Sequence, residues 1–336
     1  MSARRGVLVG AGGVARLAHL PAYVDSDAIA ARLAIVGAID SRIPPPDVNG
    51  LPVRASLGDI SDFGRVDFVD VCTPTATHRQ LVLDALARGL HVFCEKPVAI
   101  NPDEARELAA AARSAGRILY PCHQYRENPA WQAMRRWLDD GAIGRWHLAE
   151  FNVYRVEADR GAAAGGVPWR GRKEDSLGGV LLDHGTHLLY LLLDVAGMPA
   201  SVGAHLSCLQ HNAAYDVEDT AHLLLDYGRR VATLTLTWAG QQRENRIRFI
   251  GDSGMVEWVG GMLRRYDRNG VAETHDFSAQ LDKREYAHWM SRTLHGFADA
   301  MEQNNGEAGL TEIEQVATLL EGAYRSAAEG RRVDLA

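Results

Sequence analysis

The chain has 336 residues, of which 46% are hydrophobic and 24% are charged, and its formal net charge is −7. This composition is typical of a globular protein with about two domains. It excludes a mostly disordered chain and a disulfide scaffold. The acidic balance also disfavours a broad surface that binds nucleic-acid phosphates.

The first half of the chain predicts a parallel sheet. Apolar runs of strand length alternate with helical stripes, a pattern typical of a doubly wound α/β sheet with helices on both faces. The predicted strands are 6–9, 34–39, 68–72, 91–94 and 117–120, and the predicted helices are 14–23, 78–87 and 102–115. Asn101 and Pro102 have the residue types that begin a helix.

The second half predicts a different architecture. Long alternating segments at 146–156, 217–227, 230–238 and 245–250, followed by 255–258 and 263–266, indicate antiparallel strands. A helix is predicted at about 177–195, and two more near 285–303 and 311–328 close the chain. We therefore predict a first domain at 1–125 and a second, α+β domain at 126–336 with a large, mostly antiparallel open sheet.

The features that the sequence lacks give further expectations. No run reaches the ~20 apolar residues of a membrane span, and the N-terminal apolar run is too short for a signal peptide. The four cysteines, Cys72, Cys94, Cys122 and Cys208, have no Cys-x-x-Cys or metal-ligand spacing. We expect reduced thiols in a cytoplasmic protein, with no metal and no nucleic-acid or membrane partner. The stretches 43–46 and 161–166 are loop-like.

A glycine-rich turn follows the first predicted strand and opens the first predicted helix. Its pattern is Gly10-x-Gly12-x-x-Ala15, with Gly13 and Val14 between. Glycines let the backbone approach a pyrophosphate closely, and the helix start stabilises the anion. The turn therefore predicts dinucleotide binding, although the same residues also suit a plain strand-to-helix turn.

Asp40 ends the second predicted strand and is followed by Ser41 and Arg42. A carboxylate at this position can accept hydrogen bonds from the adenine ribose, and it repels a 2′-phosphate. We therefore expect NAD as the cofactor, with NADP possible because Arg42 could pair with the phosphate. The alternative is that Asp40 is only a turn residue.

Two longer motifs carry a family resemblance. Thr73-Pro74-Thr75 with His78 leads into a helix, and Glu95-Lys96-Pro97 follows the next strand. The segment from Gly178 to His187 adds a Gly-Gly…Asp-x-Gly-x-His pattern. Together they resemble the Gfo/Idh/MocA family, named after glucose–fructose oxidoreductase, inositol dehydrogenase and a rhizopine-catabolism protein. The resemblance extends through the closing helices and so covers nearly the whole chain.

The resemblance implies a Rossmann domain and an NAD(P)-dependent dehydrogenase or reductase that acts on a CH–OH group. The substrate would be a sugar, sugar derivative or cyclitol, and the protein a homodimer or homotetramer. In the family, the counterpart of Lys96 contacts the reacting oxygen and that of Glu95 contacts the cofactor ribose. The Thr73-to-His78 turn, Gln124, Trp169 and Arg170 would also lie near the cofactor. Tyr125 and Glu127 depart from the family pattern.

The residues themselves suggest catalytic roles. Lys96 follows a parallel strand at the edge where ligands bind, and a lysine there can transfer a proton. Asp183 and His187 share a face if their segment is an α-helix, and a histidine can take a hydroxyl proton. Consecutive residues of such a helix are about 100° apart, so Asp183 and His184 would face different directions, and with no fourth ligand in view this disfavours a metal site. The alternatives are a surface lysine and an ordinary helix ion pair.

Two other functions stay open. One is reduction of an imine or keto-sugar in a biosynthetic pathway. The other is a non-catalytic sensor that binds the dinucleotide. A sensor has no need to keep Lys96, Asp183 and His187 together, which favours the enzyme.

Overall fold

The computed structural model describes residues 3–42, 47–158, 167–281 and 285–335. The loop-like stretches expected at 43–46 and 161–166 lie outside these residues. The chain divides into two units, Met1–Glu127 with Asp282–Glu314, and Asn128–Leu281 with Gln315–Ala336. The first unit therefore takes up a segment from late in the chain.

The first unit contains a six-stranded sheet with the order β3-β2-β1-β4-β5-β6. Every adjacent pair is parallel, which confirms the predicted doubly wound sheet. The strand order reverses between β1 and β4, and ligands bind beside the carboxyl ends of strands at such a point. The strands are β1 Arg4–Val9, β2 Leu33–Ile39, β3 Val53–Arg54, β4 Phe68–Val71, β5 His91–Cys94 and β6 Leu119–Pro121.

The helix predicted at 102–115 begins where its capping residues predict. The Asn101 side chain accepts a hydrogen bond from the Glu104 backbone N–H, and Pro102 occupies the first turn. The helix predicted at 14–23 is different, because it begins with a π-helical turn at Ala15–His19. The α-helices are α1 Leu20–Ala22, α2 Asp27–Ala30, α3 His78–Ala87, α4 Pro102–Ala115 and, from late in the chain, α8 Tyr286–Gln303.

Helix α8 completes the core of the first unit. Phe297 is fully buried, and its ring centroid lies 5.5 Å from those of both Phe68 and Phe93. Met290 and Leu294 belong to the same cluster of buried side chains. The helix therefore covers apolar side chains of β4 and β5.

The second unit contains a nine-stranded sheet with the order β14-β13-β12-β11-β7-β10-β9-β8-β15. Only the β7–β10 pair is parallel, which confirms the mostly antiparallel sheet. In β10 the alternate residues Ala232, Leu234 and Leu236 are fully buried, as expected for a strand with one face on the core. The strands are β7 Trp146–Tyr154, β8 Ser201–Ser207, β9 Thr220–Asp226, β10 Val231–Thr237, β11 Glu244–Gly251, β12 Met255–Val259, β13 Met262–Asp267, β14 Gly270–Asp276 and β15 Val333–Asp334.

The helix predicted at 177–195 is partly wrong. The turn Leu181–Gly185 is π-helical, and the α-helix α7 covers only Thr186–Ala196. The other α-helices are α5 Pro129–Asp139, α6 Lys173–Ser176 and α9 Glu307–Glu329, and the division between the units falls within α9. Within the described part of the chain, every helix is too short or too polar to cross a bilayer.

Candidate functional site

The glycine turn at the end of β1 combines one tight position with two open ones. Gly10 has a φ of +89°, and a Cβ there would lie 2.7 Å from Cγ2 of Thr73. A Cβ on Gly12 or Gly13 would meet nothing within 4 Å. Val14 and Ala15 then continue into the helical turn. The loop therefore packs tightly at Gly10 and has open space beside its backbone at Gly12 and Gly13, as a pyrophosphate cradle requires.

Asp40, at the end of β2, is held by the glycine turn and by Arg42. Its Oδ2 accepts the Ala11 backbone N–H at 2.9 Å. The Arg42 guanidinium donates to both carboxylate oxygens, at 2.8 and 2.6 Å, and to the carbonyl of Ala11. The hydrogen bonds from Arg42, together with the Ala11 N–H, lower the pKa of Asp40 to about 2. Asp40 is therefore ionised at neutral pH, and the exposed Ser41 follows it.

The Thr73–His78 turn and the Lys96–Pro97 segment are joined by the buried ring of His78. Its Nε2 lies 2.8 Å from the carbonyl oxygen of Thr73, and its Nδ1 lies 2.8 Å from that of Pro97. Burial lowers the pKa of His78, and a neutral ring donates to only one of the two carbonyls. Both nitrogens thus face the protein backbone, while Pro74 and Thr75 lie half-buried in the turn.

Lys96 follows β5 and is half-buried. Its backbone N–H donates to Oε2 of the preceding Glu95 at 3.1 Å, and the Lys96–Pro97 peptide bond is cis. Gln124 begins the short 3₁₀ turn Gln124–Glu127 after β6, and its Oε1 lies 3.6 Å from Sγ of Cys122. The structure thus places the glycine turn, Asp40 and Lys96 after the carboxyl ends of β1, β2 and β5, three parallel strands of one sheet.

A buried polar cluster that includes Glu95 was not expected from the sequence. His19 is fully buried, with Nε2 3.0 Å from Oε1 of Glu95 and Nδ1 2.9 Å from Oδ2 of Asp70. The hydroxyl of Tyr23 donates to the same Asp70 oxygen at 2.9 Å. A signal existed, since Asp70 is a charged residue inside an apolar strand and His19 follows the glycine turn.

The cluster controls the charge of its members. Burial alone would lower the pKa of His19, but the negative charge of Asp70 and its hydrogen bond raise it well above 6.5. Burial would raise the pKa of Glu95, but the hydrogen bond and charge of His19 lower it to about 2. At neutral pH the structure therefore favours an imidazolium beside an ionised Glu95.

Groups of the kind that bind metals meet at the same histidine. The sets His19, Asp70, Cys72 and His19, Glu95, Cys122 each have donor atoms within 4.8 Å of one another. Hydrogen bonds between His19 and the two carboxylates account for much of this proximity. All four cysteines of the chain are free thiols.

In the second unit, Asp183 lies in the π-helical turn, where its carboxylate is close to the side chains of Arg170 and His184. Nε of Arg170 is 3.3 Å from its Oδ2, and Nδ1 of His184 is 3.1 Å from the same oxygen. The indole N–H of Trp238 donates to Nδ1 of His184 at 3.2 Å. The Arg170 guanidinium also lies 4.5 Å from the ring centroid of Trp169.

His187 is the second residue of α7 and is buried, with Nδ1 2.9 Å from the hydroxyl of Tyr190. The prediction that Asp183 and His187 share a face assumed an α-helix from 177 onward. That assumption is wrong for 181–185, because the π-helical turn changes the angle per residue. Such turns are often found at functional sites.

The Gly178-Gly179 pair allows the chain to pack closely at the start of this turn. A Cβ on Gly179 would lie 1.8 Å from the carbonyl oxygen of Glu218, and one on Gly178 would lie 2.2 Å from the hydroxyl of Tyr324. The Glu218 carboxylate accepts hydrogen bonds from the Leu181 N–H and from Tyr324. Only glycine fits at 179, so this motif residue fixes where the Asp183 turn begins.

Comparisons with known proteins agree with both units. The family model for an oxidoreductase family with an NAD-binding Rossmann fold matches residues 4–123, and the model for the GFO/IDH/MocA C-terminal domain matches residues 131–257. D-glucoside 3-dehydrogenase of Escherichia coli is 29% identical, with 98% of this chain and 97% of that protein aligned. A putative UDP-kanosamine synthase oxidoreductase subunit of Amycolatopsis mediterranei is 32% identical over 71% of this chain and 69% of its own length.

A solved structure shows the same fold. An oxidoreductase from Agrobacterium radiobacter, crystallised with NAD+, L-tartaric acid and magnesium, has a TM-score of 0.85 and 22% identity. The alignment covers 99% of each chain.

Proposed function

The chain belongs to the Gfo/Idh/MocA family of oxidoreductases with an NAD-binding Rossmann domain, and we propose that it transfers hydride between NAD and a ring carbon of a sugar, sugar derivative or cyclitol. The observation that supports this most is the arrangement on the first sheet. A glycine turn open at Gly12 and Gly13, an ionised Asp40 and Lys96 all follow the carboxyl ends of parallel strands.

The residues of the first unit fit NAD. The backbone at Gly12 and Gly13, which has open space beside it, would hold the pyrophosphate, and Asp40 would accept hydrogen bonds from the adenine ribose. The negative charge of Asp40 opposes a 2′-phosphate, although Arg42 could leave it to pair with one. Bound NAD supplies the hydride acceptor or donor, which the protein side chains cannot provide.

Lys96 would be the main acid and base, moving a proton at the reacting hydroxyl or carbonyl oxygen. Asp183 and His187 would assist, Asp183 by binding a substrate hydroxyl and His187 by exchanging a proton. The ion pair with Arg170 supports Asp183 as a carboxylate, and the contact with Tyr190 orients the ring of His187. The roles of Glu95, Gln124, His78 and Trp169 near the cofactor stay predictions.

The relatives support a sugar substrate. The Escherichia coli relative is a D-glucoside 3-dehydrogenase that aligns over nearly the whole of both chains. The kanosamine-related name of the Amycolatopsis relative favours, as a second candidate, keto-sugar chemistry in a biosynthetic pathway. Both candidates use the same hydride step at a ring carbon, in opposite directions.

Turnover distinguishes an enzyme from a dinucleotide-binding sensor. The purified protein would be mixed with NAD or NADP and a panel of glucosides, aldoses and cyclitols, and with reduced nicotinamide and keto-sugars, while the absorbance of reduced nicotinamide is followed. We expect turnover with at least one sugar or cyclitol. Tight NAD binding by calorimetry without turnover on any substrate would support the sensor instead.

We also propose that the protein is a homodimer or homotetramer assembled through the large sheet. The two faces of this sheet differ, because Glu150 and Arg248 form a half-buried ion pair on neighbouring strands while Phe151 and Phe249 are fully buried. Light scattering after size-exclusion chromatography measures the assembly directly. A monomer at micromolar concentration would contradict this proposal.

A further inference from the structure

His19 connects three elements of the first unit at one buried point. It ends the π-helical turn that follows the glycine turn, while Asp70 lies in β4 and Glu95 follows β5. Its two ring nitrogens lie 2.9 and 3.0 Å from the carboxylates of Asp70 and Glu95. A single side chain therefore bridges the nucleotide-binding helix and the strand end that carries Lys96.

The geometry determines the protonation of the ring. A carboxylate can only accept hydrogen bonds, so a histidine between two carboxylates uses both nitrogens as donors and carries a positive charge. The side chains of His19 and Asp70 are fully buried, and that of Glu95 is 7% exposed. Buried ions are tolerated when they are paired in this way.

The other titratable groups around His19 are neutral at physiological pH. Tyr23 faces it from α1, Cys72 from the end of β4 and Cys122 from beyond β6. Burial raises the pKa of Tyr23 and of both thiols. The charge of the cluster therefore resides on His19 and on the two carboxylates that it bridges.

The carboxylate of Glu95 connects His19 to Lys96, because each of its two oxygens contacts one of these residues. Oε1 contacts Nε2 of His19, and Oε2 accepts the backbone N–H of Lys96 at 3.1 Å. Without the imidazolium, Glu95 would be a desolvated carboxylate that protonates more easily. A protonated or rotated Glu95 would no longer hold the Lys96 amide.

We propose that His19 is a positioning residue for catalysis: as an imidazolium between Asp70 and Glu95, it keeps Glu95 ionised and oriented, and through Glu95 it fixes the backbone from which the Lys96 ammonium extends. This proposal rests on the proposed function, in which Lys96 is the acid and base.

Nuclear magnetic resonance tests the charge without any substrate. In protein labelled with ¹⁵N-histidine, the His19 signals are those lost in His19→Gln. We expect both His19 nitrogens to be protonated across about pH 5.5 to 8.5, where an ordinary histidine titrates. Titration near pH 6.5, or a singly protonated ring, would overturn the proposal.

Amide exchange tests the positioning step. We expect the Lys96 N–H to exchange at least about tenfold faster in His19→Gln, if the hydrogen bond to Glu95 is lost. Tyr23→Phe is the matched control, because it removes a hydrogen bond to Asp70 in the same cluster but leaves the His19–Glu95 contact. Equal Lys96 exchange rates in His19→Gln and wild type would overturn the proposal.

Kinetics then separate positioning from a loss of stability. In His19→Gln the acidic limb of the kcat/KM profile should move to higher pH by about one unit, because Glu95 protonates more easily. The kcat should fall at least about tenfold while the Kd for NAD changes less than about threefold, and Tyr23→Phe should keep the wild-type profile.

A folded His19→Gln with the wild-type profile would refute the role. Absence of turnover in wild type would refute the proposed function alone, because the two spectroscopic tests need no substrate.

Discussion

Arg170 and Asp183 form an ion pair, with Nε of the arginine 3.3 Å from Oδ2 of the aspartate. The arginine also stacks on Trp169, so its position is restrained from two sides. The sequence predicts a role near the cofactor for Arg170 and a catalytic role for Asp183. Because the two side chains are paired, we expect Arg170 to orient the Asp183 carboxylate in that role.

Replacing Arg170 should therefore lower the catalytic efficiency, kcat/KM. We expect Arg170→Leu to lower kcat/KM at least about tenfold, since one charge-assisted hydrogen bond contributes about 1.5 kcal/mol or more. The control is Arg172→Leu, because Arg172 is exposed and pairs with Asp175 instead. Initial-rate kinetics measure both variants. Equal kcat/KM values for Arg170→Leu and Arg172→Leu would show that the Arg170–Asp183 ion pair does not contribute to activity.

Lys96→Met should stop proton transfer and spare cofactor binding. We expect kcat to fall about 100-fold or more, the usual range for loss of a general acid or base, with the Kd for NAD within about threefold. Lys173→Met is the control, because Lys173 is exposed in the second unit. Near-normal turnover of Lys96→Met would remove Lys96 from its assigned role.

Asp40→Ala should relax the preference for NAD. Loss of the carboxylate removes the repulsion of a 2′-phosphate and releases the Arg42 guanidinium that Asp40 now binds. We expect the affinity for NADP to rise about tenfold relative to NAD, measured by fluorescence titration. Asp62→Ala is a control that breaks an exposed ion pair with Arg54. An unchanged ratio of the two affinities would exclude the ribose role of Asp40.

The His19–Glu95 pair should make stability depend on pH. The folded pKa of Glu95 is about 2, below its ordinary 4.5, so its contribution is present above pH 4.5 and is lost as the pH falls toward 2. The folded pKa of His19 is raised above 6.5, so its contribution is complete below pH 6.5 and is lost as the pH rises through the folded pKa. Both contributions are therefore complete between pH 4.5 and 6.5.

Urea denaturation of wild type and His19→Gln measures this linkage. Near pH 5.5 we expect the variant to be less stable by about 3–5 kcal/mol, because two buried carboxylates lose their cation. Since the wild-type advantage from Glu95 fades in acid, the difference should shrink toward pH 3. A difference that is constant with pH would mean that packing, and not charge, accounts for the loss.

Gly179→Ala should disturb the Asp183 turn. The new methyl group would lie 1.8 Å from the Glu218 carbonyl, so the backbone must shift. We expect a loss of about 2 kcal/mol or more in unfolding free energy, with lower kcat/KM. Gly203→Ala in β8 is the control, because a Cβ there meets nothing within 4 Å. Calorimetry should separate the two variants, and similar melting temperatures would contradict the predicted clash.

The sequence predicted the parallel strands and the glycine turn well, because these depend on local patterns. Short apolar runs followed by Gly10, Asp40 and Glu95 locate β1, β2 and β5. The π-helical turns at 15–19 and 181–185 were not predictable from periodicity, since they are short and their hydrogen bonds span only one residue more than those of an α-helix. His19 was missed because its partners, Asp70 and Glu95, lie 51 and 76 residues away along the chain.

The order of elements along the chain also did not reveal which helix completes the core of the first unit. Nothing in the local pattern of 286–303 indicates that this helix packs on β4 and β5. Strands β3, β8, β14 and β15 were missed as well. Strands β3 and β15 have only two residues each, and β14 is mostly exposed, so it lacks the alternation that identifies a half-buried strand.

The packing of Phe297 on Phe68 and Phe93 has a practical consequence for dissecting the molecule. A recombinant fragment that stops at residue 127 would leave those aromatic rings exposed to water and prone to aggregation. An autonomous cofactor-binding piece would have to carry the stretch around α8 on an engineered tether. Exchange of such modules between homologues must likewise transfer both stretches of sequence together.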